Sequence, residues 1–514
     1  MKTAKRNTKV VATVSDRRCS PEFLQALIEA GADVIRLNTA HQEPADTLRV
    51  IENIRQVSDK VAILLDTKGP EVRTTKAPED IEVKTGDTIE LKGAPDEPTT
   101  REAICVNYED FAVDVPVGAT ILIDDGHLEL KVIEGQGVSL ICKVMNDGVV
   151  KGRKSVNTPN IHLNLPSLNH KDRRYLAFAA ENDIDFIAHS FVRNKEDVLA
   201  IKAGLDFHGS KAKIIAKIEN QEGVDNIDEI LDNCYGVMVA RGDLGIEIEA
   251  AKIPAIQKRL VRICREKRRP VIVATQMLQS MEVNPRATRA EVSDVANAVY
   301  DGTDAVMLSG ETAHGKFPIE AVKTMASIAE EAEKERDLAD NVTPSGFGQD
   351  TTVFLAQTAI RASTELPVKA VLADTTTGRS ARFLSAYRGP TPVYTRCYCR
   401  RVMRQLALSY GIHTAYMEKQ PYTYQFLRKA ISELLTDQTI KEDDLIVVLA
   451  GNFGPNHGAS FVEVATPKRI LAENRGAPKP DCPAVDGNGK LKDISTKVPI
   501  PAAPSHQDHR ELHA

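Results

Sequence analysis

Short runs rich in Val, Ile, Leu and Ala alternate along most of this chain with longer stretches whose apolar positions return at helical spacing. A run that is apolar on both faces suits a strand buried between layers, and the longer period suits an amphipathic helix. Eight such runs predict parallel strands: 9–14, 34–37, 61–65, 186–188, 213–218, 237–239, 271–274 and 305–308. Helical periods fill most of the gaps, for example at 21–30, 226–231, 255–266 and 287–299. Repeated strand–helix units of this number point to an α/β fold, a closed (β/α)8 TIM barrel.

One gap breaks the pattern. Between residue 66 and about 160 the helical period gives way to alternation, as in IEVKTGDTIEL (81–91), with turns at Gly86-Asp87, Asp125-Gly126 and Asp147-Gly148. Short strands punctuated in this way predict a small all-β domain inserted between the third strand and its helix. A loop at that end of a barrel strand lies on the catalytic face, so the insert can act as a lid. The expected order is barrel 1–69, lid 70–158 and barrel 159–340, the last ending in a charged helix at 319–338. After a linker at 341–350, a C-terminal doubly wound α/β domain spans 350–470, with helices at 352–364, 378–387, 400–407 and 422–435 and strands at 370–372, 391–394 and 445–449. From 473 to 514 no apolar period survives, which predicts a disordered tail.

Composition narrows the class. A chain of 514 residues can bury several cores, and its formal net charge of -6 gives no basic surplus for nucleic acid. The basic start lacks a secretory apolar run, and no segment reaches the ~18 apolar residues of a membrane span, so a cytoplasmic protein is expected. The eight cysteines are scattered, mostly beside aliphatic residues, and read as buried thiols. Cys397-x-Cys399 is too short and solitary for a zinc motif. The basic run Arg265–Arg269 reads as a solvated helix end favouring its own dipole.

The chemistry lies at the strand exits. Lys217 and Glu219 close the fifth strand, and Arg241, Gly242 and Asp243 come directly after the sixth. Two carboxylates with a lysine and an arginine suit a divalent metal that holds a phosphorylated anion; the plainer alternative is an internal ion-pair network. The other exits add Arg36 and Asn38, then Asp66, Thr67, Lys68 and Arg73, then Ser190 and Arg193, then Thr275 and Gln276, then Ser309, Glu311 and Thr312. Polar groups after seven of eight strands favour an active site at the barrel mouth.

RLNTAH (36–41), DTKGPEVR (66–73), HSFVR (189–193), AKIENQEG (216–223), MVARGDLGIEI (238–248), ATQML (274–278), PRATRAEVSDVANAV (285–299) and DGTDAVMLSGET (301–312) closely resemble the pyruvate kinase family, in its order, over residues 9 to about 465. The resemblance implies Mg2+-dependent phosphoryl transfer from phosphoenolpyruvate to ADP, giving pyruvate and ATP. It implies that Glu219 and Asp243 bind Mg2+, that Lys217 stabilises the phosphoryl group in flight, and that Arg36 holds the phosphate. The backbone at Gly242 and Asp243 would take the substrate carboxylate, and Thr275 would lie near the carbon that is protonated. Asn38, Arg73 and Lys154 match nucleotide contacts, and Asn38, Asp66 and Thr67 match a K+ site. Members are usually homotetramers.

The chain also departs from the family. The Ser of RLNFSH is Ala40 here, and a methyl group cannot hold an ion, yet Glu71 matches the K+-dependent members; K+ is still expected, with water or a neighbouring oxygen in place of the hydroxyl. The first strand exits into TVSDRRCS where TIGPAS is common. In the last domain Thr375, Thr376, Thr377, Gly378, Arg379 and Ser380 resemble a loop that grips a sugar-phosphate effector. The second effector loop reads AGNFGPNHG (450–458) and lacks the family's arginine. Two other functions compete: an aldolase or lyase of a related barrel, which has no need of the lid or of Arg73, and a catalytically degenerate relative that senses metabolites or binds partners, against which Arg36, Lys217, Glu219, Asp243 and Thr275 stand intact.

Overall fold

The structure, a computed structural model, describes residues 6–40, 42–336, 350–451 and 458–473. Eight parallel strands close into a barrel: Lys9–Thr13, Val34–Asn38, Ala62–Asp66, Phe186–His189, Lys213–Ile218, Gly236–Ala240, Val271–Ala274 and Ala305–Leu308. The eighth pairs back on the first, with Lys9 opposite Ala305. Alternate side chains such as Val11, Leu64, Ile215, Met238 and Met307 fill the inside of the barrel. Their neighbours Val10, Ile63, Val237 and Val306 pack outward against the helices. Burial on both faces is why these strands read as unbroken apolar runs.

The chain leaves the barrel through Val72–Arg73 and returns through Ser155–Asn157, and these two short strands pair antiparallel. They belong to a seven-stranded sheet, with a two-stranded companion, built on its own core of Leu91, Ile121, Leu130 and Cys142. One helical turn, Phe111–Asp114, departs from a purely β insert; its Phe111 ring is fully buried in the same core.

The last domain is a five-stranded sheet with helices on both faces, ordered Ile412–Tyr416, Val393–Cys397, Val368–Thr375, Leu445–Ala450 and Phe461–Ala465. Only the last of these runs antiparallel to its neighbour. Cores form on the two faces, one around Leu384 and Met403 and the other around Phe426 and Ile431. The two edge strands and the helix Pro467–Glu473 are missing from the sequence reading. Each edge strand is five residues long and mixes polar with apolar positions, IHTAY and FVEVA, so neither shows the unbroken apolar run of the inner strands. Except for Glu473, the expected tail 473–514 lies outside the described residues; so do most of the expected linker and residues 452–457 of the second effector loop.

This domain docks on the barrel floor, at the amino ends of the strands. Asp185 there meets Arg404, and Asp304 meets Arg388. The docking corrects the reading of 265–269 as a solvated helix end. Arg265 is buried, and burial, with Arg388 and Arg336 nearby, pushes its guanidinium down to about 9. Arg268 lies over the Phe383 ring. Arg265 and Arg268 thus meet a domain distant in the chain, while Lys267 pairs with Asp228 and Asp232 of the barrel. Of the described cysteines only Cys399 is exposed. Among the described residues no helix is long and apolar enough to cross a membrane.

Candidate active site

The carboxyl ends of the barrel strands hold a buried network of charge. Lys217, the penultimate residue of the fifth strand, places its ammonium 3.2 Å from Asp66 Oδ1, 2.9 Å from Glu219 Oε1 and 2.8 Å from Ser190 Oγ. Arg36 in the second strand closes on the other Asp66 oxygen at 2.6 Å and donates to Thr13 Oγ1 at 3.1 Å. Burial alone would lower the Lys217 ammonium, but Asp66 and Glu219 hold it above its ordinary value. Burial would likewise raise Asp66, and Arg36 and Lys217 together keep it below the usual carboxylate range.

Glu219 behaves differently. Its Oε2 accepts the Phe191 N–H at 2.7 Å, while the buried Oε1 meets the Lys217 ammonium at 2.9 Å. Burial pushes this carboxyl up to about 7; Lys217 partly offsets that and Asp243 adds to it. Asp243 therefore acts on the same locus, reached from the helix Arg241–Glu247 that opens at the sixth strand's exit. Two carboxylates acting on one locus fit a divalent cation. Among the described residues no three His, Cys, Asp or Glu groups form a cage. That suits Mg2+, which is bound by one or two carboxylates and takes its other ligands from substrate and water.

Thr275 sits where the seventh strand ends. Its Oγ1 donates to Ala274 O at 2.6 Å and accepts the Gly242 N–H at 2.7 Å. The Gly242 amide and the Thr275 hydroxyl thus satisfy each other. Asp243 also lines a cavity of about 710 Å³ between lid and barrel, together with Arg73, Asp125, Ser155, Asn157 and Glu247. Such a volume is in the range of small-ligand clefts. Arg73 forks onto Glu71 and feels Asp125 and Asp243, so the foot of the lid faces Asp243. Lys154 pairs with Asp124 at 2.8 Å and does not line the cavity.

The expected K+ residues are adjacent but engaged. Asn38 Oδ1 accepts the Ala40 N–H, and Thr67 O accepts Ser190 Oγ. Ala40 offers only its carbonyl, 3.4 Å from the Lys171 ammonium. In the last domain Gly378, at φ 82, opens the helix Arg379–Ala386. Thr375 Oγ1 accepts the Gly378 N–H, Ser380 Oγ donates to Asp374 O, and Arg379 pairs with Asp350. Glu311 is scaffold: its carboxylate accepts the Ser309 and Leu278 amides. Ser190, expected at the fourth strand's exit, meets Lys217, while the Phe191 amide beside it, which holds Glu219, is a contact that side-chain chemistry in the sequence does not show.

Family models for the pyruvate kinase barrel domain and alpha/beta domain match residues 5–322 and 354–465. The chain belongs to the pyruvate kinase family. A pyruvate kinase of Borreliella burgdorferi is 44% identical over 465 residues, covering 89% of this chain and 97% of the relative. One from Geobacillus stearothermophilus is 42% identical over 488 residues, covering 92% and 82%. The crystal structure of a pyruvate kinase from Cryptosporidium parvum superposes with a TM-score of 0.85 at 33% identity, covering 90% of this chain and 96% of that one. The activity is that of a pyruvate kinase, a phosphotransferase of glycolysis that depends on a divalent metal. The aldolase and degenerate-relative readings fall away.

Proposed function

We propose that the family's reaction, phosphoryl transfer from phosphoenolpyruvate to ADP giving pyruvate and ATP, is carried here by Arg36, Lys217, Glu219, Gly242, Asp243 and Thr275. The observation that carries this reading is the Lys217 ammonium shared between Asp66 and Glu219, with the Glu219 carboxyl also within the field of Asp243. Phosphoryl transfer asks the protein mainly for positioning and charge neutralisation. Glu219 and Asp243 would hold Mg2+, which supplies charge neutralisation on the phosphoryl oxygens when bound. Lys217 neutralises the group in flight, and Arg36 orients it from the opposite wall.

Gly242 N–H binds the substrate carboxylate. To do so it releases Thr275 Oγ1, its present partner. Thr275 serves the second half of the reaction, in which the enolate carbon gains a proton that comes ultimately from solvent; its O–H, now donated to Ala274 O, turns from that carbonyl to do so.

Asn38, Arg73 and Lys154 serve the nucleotide phosphates, the last after exchanging Asp124 for phosphate. K+ binds beside Asn38, Asp66 and Thr67, with water in place of the hydroxyl that Ala40 lacks. Thr375 to Ser380 form a phosphate-sized turn for a sugar-phosphate effector, reached once Arg379 leaves Asp350. The working form is a cytoplasmic homotetramer. A coupled assay for pyruvate formed from phosphoenolpyruvate and ADP, wild type beside Lys217→Met, tests the core of this reading: it requires activity that depends on Lys217, and turnover unchanged in the variant refutes it.

A further inference from the structure

Thr275 and Gln276 stand consecutively in the left-handed region, at φ 69 and 55. A β-branched residue rarely adopts that conformation, and it persists only where the surroundings over-determine it. The group that does so here is Arg241. Its Nη2 donates to Thr275 O at 2.8 Å and its Nε to Ala274 O at 3.3 Å. The same guanidinium forks onto both Asp294 oxygens at 2.7 Å each, with Gln257 Oε1 at 3.3 Å and Met277 Sδ at 2.8 Å completing its contacts. Asp294 lies on the outer helix Arg289–Tyr300, so the clamp is anchored outside the site. Arg241 also immediately precedes Gly242, whose N–H holds Thr275 Oγ1. One rigid fork therefore sets the spacing between the amide that takes the carboxylate and the hydroxyl that serves the enolate.

We propose that Arg241, held by Asp294, is a positioning residue for the protonation half of the reaction: it keeps Thr275 in its left-handed turn so that the hydroxyl, on turning from Ala274 O, faces the enolate carbon. This rests on the roles given above to Gly242 and Thr275. In the step served, the enolate's C=C pair forms the new C–H bond, the carbonyl re-forms, and the O–H bond broken is restored by a proton from solvent. A lysine at 241 keeps the charge but loses the planar fork, so it cannot hold two carbonyls and a carboxylate at once. Asn at 294 loosens the fork and leaves every residue of the turn in place.

The test compares Arg241→Lys, Asp294→Asn and Thr275→Val in the full chain, with melting curves alongside. One readout is deuterium uptake into the pyruvate methyl group in D2O with Mg2+ and inorganic phosphate, which needs no phosphoryl transfer; the other is kcat and KM for phosphoenolpyruvate. The clamp predicts exchange at least ten-fold slower in Arg241→Lys and several-fold slower in Asp294→Asn, with KM changed less than three-fold. Wild-type exchange in both clamp variants, with Thr275→Val slow, overturns the clamp alone. Wild-type exchange in Thr275→Val overturns the role of Thr275 and the clamp with it. Exchange and KM failing together, with an early melt, makes Arg241 merely structural and also overturns the proposal.

Discussion

The two ends of the barrel bury charge in opposite ways. On the floor, Asp185 is saturated: Arg404 Nε takes Oδ1 at 2.7 Å, and Arg55 and the Ile63 amide take Oδ2 at 2.9 Å each. Asp304 is likewise closed by Arg388 and by the Val271 and Tyr410 amides. At the mouth, one lysine is divided among Asp66, Glu219 and Ser190, and among the described residues it is the one cation within bonding distance of Glu219. On the floor each carboxylate is claimed by arginine and by backbone amides; at the mouth a single ammonium is shared among three acceptors.

That contrast can be broken most forcefully at the mouth. Lys217→Met should lower kcat by about 10²–10³-fold, the scale of losing one preorganised charge partner at a transition state. Its melting temperature should fall as well, because Asp66 and Glu219 lose a shared buried cation, so turnover is compared per folded molecule. On the floor turnover is spared. Arg404→Ala leaves Asp185 short of a partner in a buried pair, which costs of order 3–5 kcal/mol. Chemical denaturation should show that loss, while turnover per folded molecule stays within about two-fold.

A subtler difference lies in pH. Glu219 has its carboxyl raised from 4.5 to about 7, so the folded chain keeps a proton there that the unfolded chain has already released. Without metal, this group's contribution makes stability fall as pH rises from about 4.5 through 7. Metal binding needs the ionised carboxylate, so the rise in melting temperature on adding Mg2+ should be small at pH 6 and large at pH 8, and it should lose this pH dependence in Glu219→Gln. The smallest effect belongs to the last domain. Arg379→Ala should leave basal turnover within about two-fold and abolish any shift that a sugar phosphate causes in the phosphoenolpyruvate saturation curve.

Much of this was legible in the chain itself, for a reason particular to barrels. Strands buried on both faces show as apolar runs, and the topology gathers their exit residues at one mouth, so Lys217, Glu219, Asp243 and Thr275 could be placed together before any coordinates. The features that stayed hidden depend on pairings across sequence. The Phe191 amide matters only because Glu219 reaches it. Arg265 looks solvated until the last domain covers it. The strands Ile412–Tyr416 and Phe461–Ala465 are short sheet edges in which polar positions interrupt the apolar ones. Arg241 appears in the sequence as one more charge at a strand exit, and its fork onto Asp294 and the Thr275 carbonyl emerges only in three dimensions.

The most direct test is the binding of Mn2+, standing in for Mg2+, followed by electron paramagnetic resonance at pH 8 in wild type and Glu219→Gln. The account predicts one bound ion per chain in wild type and affinity at least ten-fold weaker in the variant. Equal binding in the two proteins would contradict it, because Glu219 would then hold no metal.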